Sequence, residues 1–136
     1  MGSIAGPFKQ AVDAALRGST ALAAAGPRVA IYTEVPANAP LPYLVIGDDQ
    51  VLPDTTGCAA EAEMFTTISW WARPSPPDRG GQARALGAAI FLALNARLDV
   101  AGWTLDAWEC QSERYSTDPD QSTHGVAVFR YLATED

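Results

Sequence analysis

The sequence predicts an α+β fold, a mainly antiparallel sheet of four to five strands with two helices packed on one face. Three observations carry that prediction. Two stretches, 4–24 and 78–98, repeat apolar residues at every fourth position, the spacing of an amphipathic helix. Residues 62–71 alternate with period two, as a strand does. The segments run helix, two strands, strand, helix, hairpin, with no regular βαβ alternation. A length of 136 residues suits one domain spanning 1–136 around a single core.

The first helix carries Phe8, Val12 and Leu16 on one stripe, with Ala11 and Ala15 beside it. Ser3 is a plausible cap, Pro7 fits only a first turn, and Gly26-Pro27 is a firm stop. Arg28 to Thr33 reads as a short strand. The run Val35 to Gly47 comes next, with Pro36, Pro40 and Pro42 ahead of Tyr43-Leu44-Val45-Ile46. Proline fixes φ and has no N–H, so this is a stiff arm delivering the chain into a strand. That strand is wholly apolar, as expected of one buried on both faces or central in a sheet, and it extends towards Leu52. Asp48 to Glu61 collects Asp48, Asp49, Pro53, Asp54 and Gly57 and reads as a long exposed acidic loop.

In the strand at 62–71, Met64, Thr66, Ile68 and Trp70 form the better core face, and Phe65, Thr67, Ser69 and Trp71 the other. Pro74, Pro76 and Pro77 end it, and Ser75 or Asp78 caps the second helix. That helix aligns Leu86, Ile90 and Leu94, flanked by Ala83, Phe91 and Leu98. Gly80, Gly81 and Gly87 weaken it by about 1 kcal/mol each against alanine, so its burial has to come from packing on the sheet. Gly87 suits a close approach of helix to sheet. Val100 to Glu113 and Gly125 to Thr134 are the last two strands, joined by a polar turn over 115–123.

Composition narrows the function classes. The net charge is -7 and the pI is about 4.5, which argues against gripping nucleic acid by phosphate neutralisation. It leaves room for a surface that DNA slides past. No apolar run approaches the roughly 18–20 residues of a membrane span, and the N-terminal stretch has no h-region, so no signal peptide is expected. Cys58 and Cys110 have no recognisable spacing and read as free thiols.

No motif names a reaction. His124, the single histidine, has no G-x-S-x-G elbow to serve and reads as a turn residue at a strand start. Cys58, Cys110 and His124 lack a fourth usual zinc ligand and any C-x-x-C pair. Asp118-Pro119-Asp120 has turn chemistry without the offsets of a calcium loop. Arg79-Gly80-Gly81-Gln82 opens a helix without the spacing of a phosphate-binding loop. Glu61 and Glu63 share a strand face, and a solvated acidic edge explains them better than acid–base work. Of the neighbours Trp70 and Trp71, one fills the core and the other meets solvent, a helix or another chain.

The run Val35 to Gly47, the strand ending Trp70-Trp71-Ala72-Arg73, and Asp118-Pro119-Asp120 followed by His124-Gly125-Val126 and Phe129-Arg130-Tyr131 together resemble the phage tail-completion or tail-terminator family. That family includes proteins of siphophages and of phage-derived gene transfer agents, and the resemblance keeps the same element order along nearly the whole chain. It implies a structural α+β subunit with no catalysis and no cofactor or metal. It further implies a ring, typically a hexamer, at the head-proximal end of the tail tube. The ring stops tube polymerisation and meets the tail tube protein on one side and the head–tail connector or stopper on the other. DNA passes through its lumen without specific binding. The expected location is the tail neck of a virion or phage-like particle assembled in the host cytoplasm. Contact residues expected on this view are Asp48, Asp49 and Asp54, for their place in the acidic loop, together with Trp71, Arg73, Asp118, Asp120 and His124. Two other classes stay open: a small hydrolase with acids at Glu61, Glu63 and Asp120 sharing a pocket, and a monomeric ligand-binding module.

Overall fold

The computed structural model describes residues 2–25, 29–54, 57, 59–74 and 79–136. Its elements are α1 (Ala5–Arg17), α2 (Thr20–Ala25), β1 (Ala30–Tyr32), β2 (Tyr43–Asp54), β3 (Glu61–Ala72), α3 (Gly81–Leu94), β4 (Trp103–Thr117) and β5 (Thr123–Glu135). The strands form one sheet in the order β1-β2-β3-β5-β4. Only the short β1–β2 pair is parallel; the rest are antiparallel. The α+β expectation holds, with five strands and, among the described residues, three helices instead of two. No helix among the described residues is long and apolar enough to cross a membrane. Cys58, the Gly26-Pro27 stop, the Arg28 strand start and the Ser75 and Asp78 caps lie outside the described residues.

The helix expected over 4–24 is two helices. Gly18 closes α1 by donating its N–H to Ala14 O at 2.9 Å. Ser19 then caps α2, its Oγ accepting from Leu22 N–H at 3.0 Å, the bond that satisfies an otherwise orphaned donor of a first helical turn. At the start of α1 the N-cap is Ile4, without a side-chain cap bond, and not Ser3 as expected; Ser3 lies one residue earlier, its Oγ accepting from Ala5 N–H at 3.1 Å.

One face of the sheet is covered by helices. From it Leu44, Ile46, Met64, Ile68, Trp70, Phe129 and Tyr131 are buried. Phe8 of α1 meets Tyr131 edge-on at 5.4 Å, and the Tyr131 hydroxyl donates to Leu94 O at the end of α3. The face assigned to residues 62–71 from their alternation is the face observed. In α3, Leu86, Ile90 and Leu94 are buried as expected. Phe91 is not a core flank: it is 38% exposed and its neighbour Leu92 67%. Gly80 and Gly81 sit at the start of α3, where they cost the helix interior nothing. Gly87 does permit close approach, since a Cβ there would meet the Tyr115 hydroxyl and, at 3.0 Å, Trp70 Cζ2.

Two expectations are corrected in β2. Leu44 and Ile46 are buried but Tyr43 and Val45 are only half-buried, so the strand is interior to the sheet yet covered on one face. The acidic loop expected from Asp48 is strand as far as Asp54. A register shift between Ile46 and Asp49 marks a bulge, which bends the strand and lets it carry Gly47 and Asp48 without losing its partner. Gly47 suits the bulge because a Cβ there would come within 2.9 Å of Thr67 O. Beyond the bulge Asp49 pairs with Thr66 and Asp54 with Glu61. At the other end of the chain, β4 runs on to Thr117, and the polar turn shrinks to 118–122.

Candidate functional site

The face of the sheet turned away from the helices has no cover among the described residues. Strand register sets its pattern, because paired residues share a face. Tyr43, Trp71 and His124 form one cross-strand row at one end. Val45, Ser69 and Val126 form the next row. Further along, Arg130 bridges Glu63 of β3 and Glu109 of β4, the latter at 3.3 Å.

The end row is an aromatic ladder across four strands. Tyr32 meets Tyr43 edge-on at 5.8 Å. Tyr43 stacks on Trp71 at 5.2 Å and 25°, and Trp71 stacks on His124 at 4.2 Å and 11°. Each such contact contributes about 0.5–1.5 kcal/mol beyond area burial. The turn after β4 sits at the end of this row. Asp118 N–H donates to Ser122 O at 2.9 Å, and Gln121 N–H to Asp118 O at 2.9 Å. Asp120 Oδ1 accepts from Ser122 N–H at 3.0 Å and from Ser122 Oγ at 2.6 Å. These bonds hold the Asp120 carboxyl below the usual carboxylate range. Asp118 is thereby aimed at the ladder, and its Oδ2 accepts from Trp71 Nε1 at 3.0 Å. His124 Nε2 is buried and has no hydrogen-bond partner among the described residues.

Four of the eight residues expected at a contact surface are thus neighbours: Trp71, Asp118 and His124 touch or stack, and Asp120 is in the same turn. Arg73 is exposed just beyond, its backbone N–H held by Gln82 Oε1 at 2.8 Å. Asp48, Asp49 and Asp54 are exposed but lie along β2, away from the ladder's end. Sequence reasoning misses Tyr32 and Tyr43 as site residues. Their aromatic character is in plain view, but the register that lines them up with Trp71 is not.

The ladder has a titration signature. Burial, then the Asp120 and Asp118 carboxylates, push the Tyr43 phenol up. Asp118→Asn combined with Asp120→Asn is expected to lower the Tyr43 titration by the carboxylates' share while leaving the larger effect of burial, read by NMR of labelled tyrosine, with Tyr115 unmoved. Burial and, after it, the bond to Glu113 push the Tyr115 phenol up, and burial does so for Tyr131. A phenol raised in the folded state adds stability that is complete below the unfolded value near about 10 and declines as pH rises past it. Alkaline unfolding from that pH upward is the expected outcome.

A second surface feature lies at the far edge of the sheet. Phe91 and Leu92 of α3, with Arg84, Tyr115 and Glu113, line an open groove of about 660 Å³ beside β4. Glu113 accepts from the Tyr115 hydroxyl, and the Arg84 guanidinium sits 5.0 Å from the Tyr115 ring centre.

The three acids of the hydrolase alternative do not share one pocket. Glu61 and Glu63 line a cavity of about 390 Å³ with Asp106 and Arg130, whereas Asp120 is at the ladder end. Glu63 is engaged by Arg130. Among the described residues no group of three or more His, Cys, Asp or Glu could hold a metal ion. Cys110 is a free thiol, pushed up chiefly by burial.

The described residues thus form a helix-backed sheet with one open, aromatic and acid-rimmed face. The family model of tail completion protein gp17 matches residues 10–134, and the chain belongs to that family. A chain of a native gene transfer agent (GTA) virion particle is 25% identical and superposes with a TM-score of 0.79, over 98% of this chain and 99% of its own. A second solved chain, 13% identical, shares the fold with a TM-score of 0.56 over 94% of this chain and 96% of its own. No curated protein matches the sequence. The class is a structural protein of phage-type tails.

Proposed function

We propose that this chain is the subunit of a ring that completes the tail of a virion or phage-like particle. The ring sits on the head-proximal end of the tube, ends its polymerisation and joins it to the head connector or stopper. The observation that carries this reading is the end-to-end likeness to a chain of a gene transfer agent virion. The ring is a hexamer of self-contacts, with the tail tube protein on one side and the connector on the other, and DNA crosses its lumen unbound. Its work is mechanical, without catalysis or cofactor. Assembly takes place in the host cytoplasm.

The surfaces suit that role. A ring is built from head-to-tail contacts, so each subunit needs two different patches. The β1 edge and the β4 edge lie at opposite ends of the sheet, and the exposed apolar pair Phe91 and Leu92 of α3 lines a groove beside β4. An acidic chain of net charge -7 gives a lumen that repels the DNA backbone rather than trapping it.

The test is charge reversal of Asp48, Asp49 and Asp54 to Lys, in a producer strain lacking its own copy of the gene. Joined particles are expected to fall by at least about tenfold, the effect of losing roughly 1.4 kcal/mol of contact energy. Free heads and free tails accumulate while the subunit keeps its far-UV circular dichroism. A normal yield of joined particles would exclude these three residues from the contact.

A further inference from the structure

We propose that the aromatic ladder and its acidic turn form a docking site for a basic segment of a neighbouring protein in the particle. The proposal rests on the assembly reading only for the partner being a protein, and its geometry stands alone. Trp71 lies between Tyr43 of β2 and His124 of β5, strands on opposite sides of β3, so both faces of its indole are occupied. Tyr43 has Tyr32 on its outer side. The four rings are half-buried, and what they offer outward is a rigid ridge of ring edges.

That ridge is a poor platform for nucleic-acid bases, which need open ring faces. It also carries two carboxylates that repel a phosphate backbone. Asp120 is exposed and held ionised by Ser122. Asp118 is half-buried, with Oδ2 on the Trp71 indole. Both lie close enough to the Tyr43 phenol to raise it. Among the described residues no Lys or Arg side chain pairs with either carboxylate; the nearby Arg79 donates to Gln121 instead. The complement of an apolar ridge ending in two unneutralised carboxylates is an arginine or lysine. Its aliphatic stem lies along apolar surface while the cationic head meets the acids.

The test is a titration of the full chain with acetylated, amidated tetra-arginine, monitored by NMR of the tryptophan indole N–H signals. The expected result is a saturable shift of the Trp71 signal with Trp103 and Trp108 unmoved. Asp120→Asn, which keeps the Trp71–Asp118 bond, weakens binding by about threefold, the size of one exposed charge pair. The double variant with Asp118→Asn abolishes the shift. Asp99→Asn, an exposed acid in the segment between α3 and β4, leaves it intact. Equal shifts of all indoles, equal weakening by Asp99→Asn, or no shift would overturn the proposal. So would a single-stranded oligothymidine of equal length moving the Trp71 signal as tetra-arginine does. A failed titration alongside normal ring formation removes this site and leaves the assembly reading standing.

Discussion

Trp70→Ala is expected to destabilise the fold by about 3–5 kcal/mol, the range for removing a fully buried large aromatic. Three features place it at the upper end. Trp70 is completely buried, and its Nε1 donates to Ala83 O at 2.9 Å inside the core, a bond that is lost with the ring. The ring also meets Tyr115 edge-on at 5.9 Å. The neighbouring strand is shaped to receive it: a Cβ at Gly125 would fall inside the indole. Gly125→Ala is therefore destabilising through overpacking, by about 1–3 kcal/mol, although it adds only a methyl group. The two changes share a site, so their effects will not add. Urea unfolding monitored by circular dichroism checks both. A loss below about 1 kcal/mol for Trp70→Ala, the centre of ordinary single substitutions, would contradict this account of the core.

Trp71→Ala, one residue on, is expected to do the reverse: keep the fold and lose the function. Its indole is on the open face, half-buried, so its removal opens no sealed cavity. It does remove the middle rung between Tyr43 and His124 and the donor that orients Asp118. Central aromatic anchors of an interface are worth about 2–4 kcal/mol, so joined particles are expected to fall by roughly a hundredfold or more in a complementation assay. The circular dichroism spectrum stays native. Unchanged particle yield with folded protein would take Trp71 out of the assembly surface.

The contrast between these adjacent residues marks what is legible in the sequence. Alternation over 62–71 assigns Trp70 to the core and Trp71 to the other face, because a strand buried on one side writes its orientation into every second residue. The β5 strand is readable for the same reason, and the α3 stripe through the four-residue spacing of Leu86, Ile90 and Leu94. The break at Gly18-Ser19 is not, because the alanines around it keep helical character on both sides and only the cap chemistry of Ser19 separates them. Asp48 and Asp49 suggest a loop because acids disfavour strands. At a bulge on a strand with one uncovered side they stay solvated while the backbone keeps its pairing.

The candidate site is half visible in the sequence. Asp118, Asp120 and His124 are close along the chain and group together readily. The ladder they belong to joins residues 32, 43, 71 and 124 from four strands, and it exists only because the pairing register places Tyr43 and His124 opposite Trp71. A single sequence constrains which face a residue takes, not which residue it meets across the sheet.

The most direct test of the central claim is electron microscopy of purified tail tube protein polymerising with and without this chain. The predicted result is a ring of this protein on one end of each tube, with elongation stopped at that end. Tubes that keep growing at the same rate while the chain stays monomeric in the supernatant would contradict it.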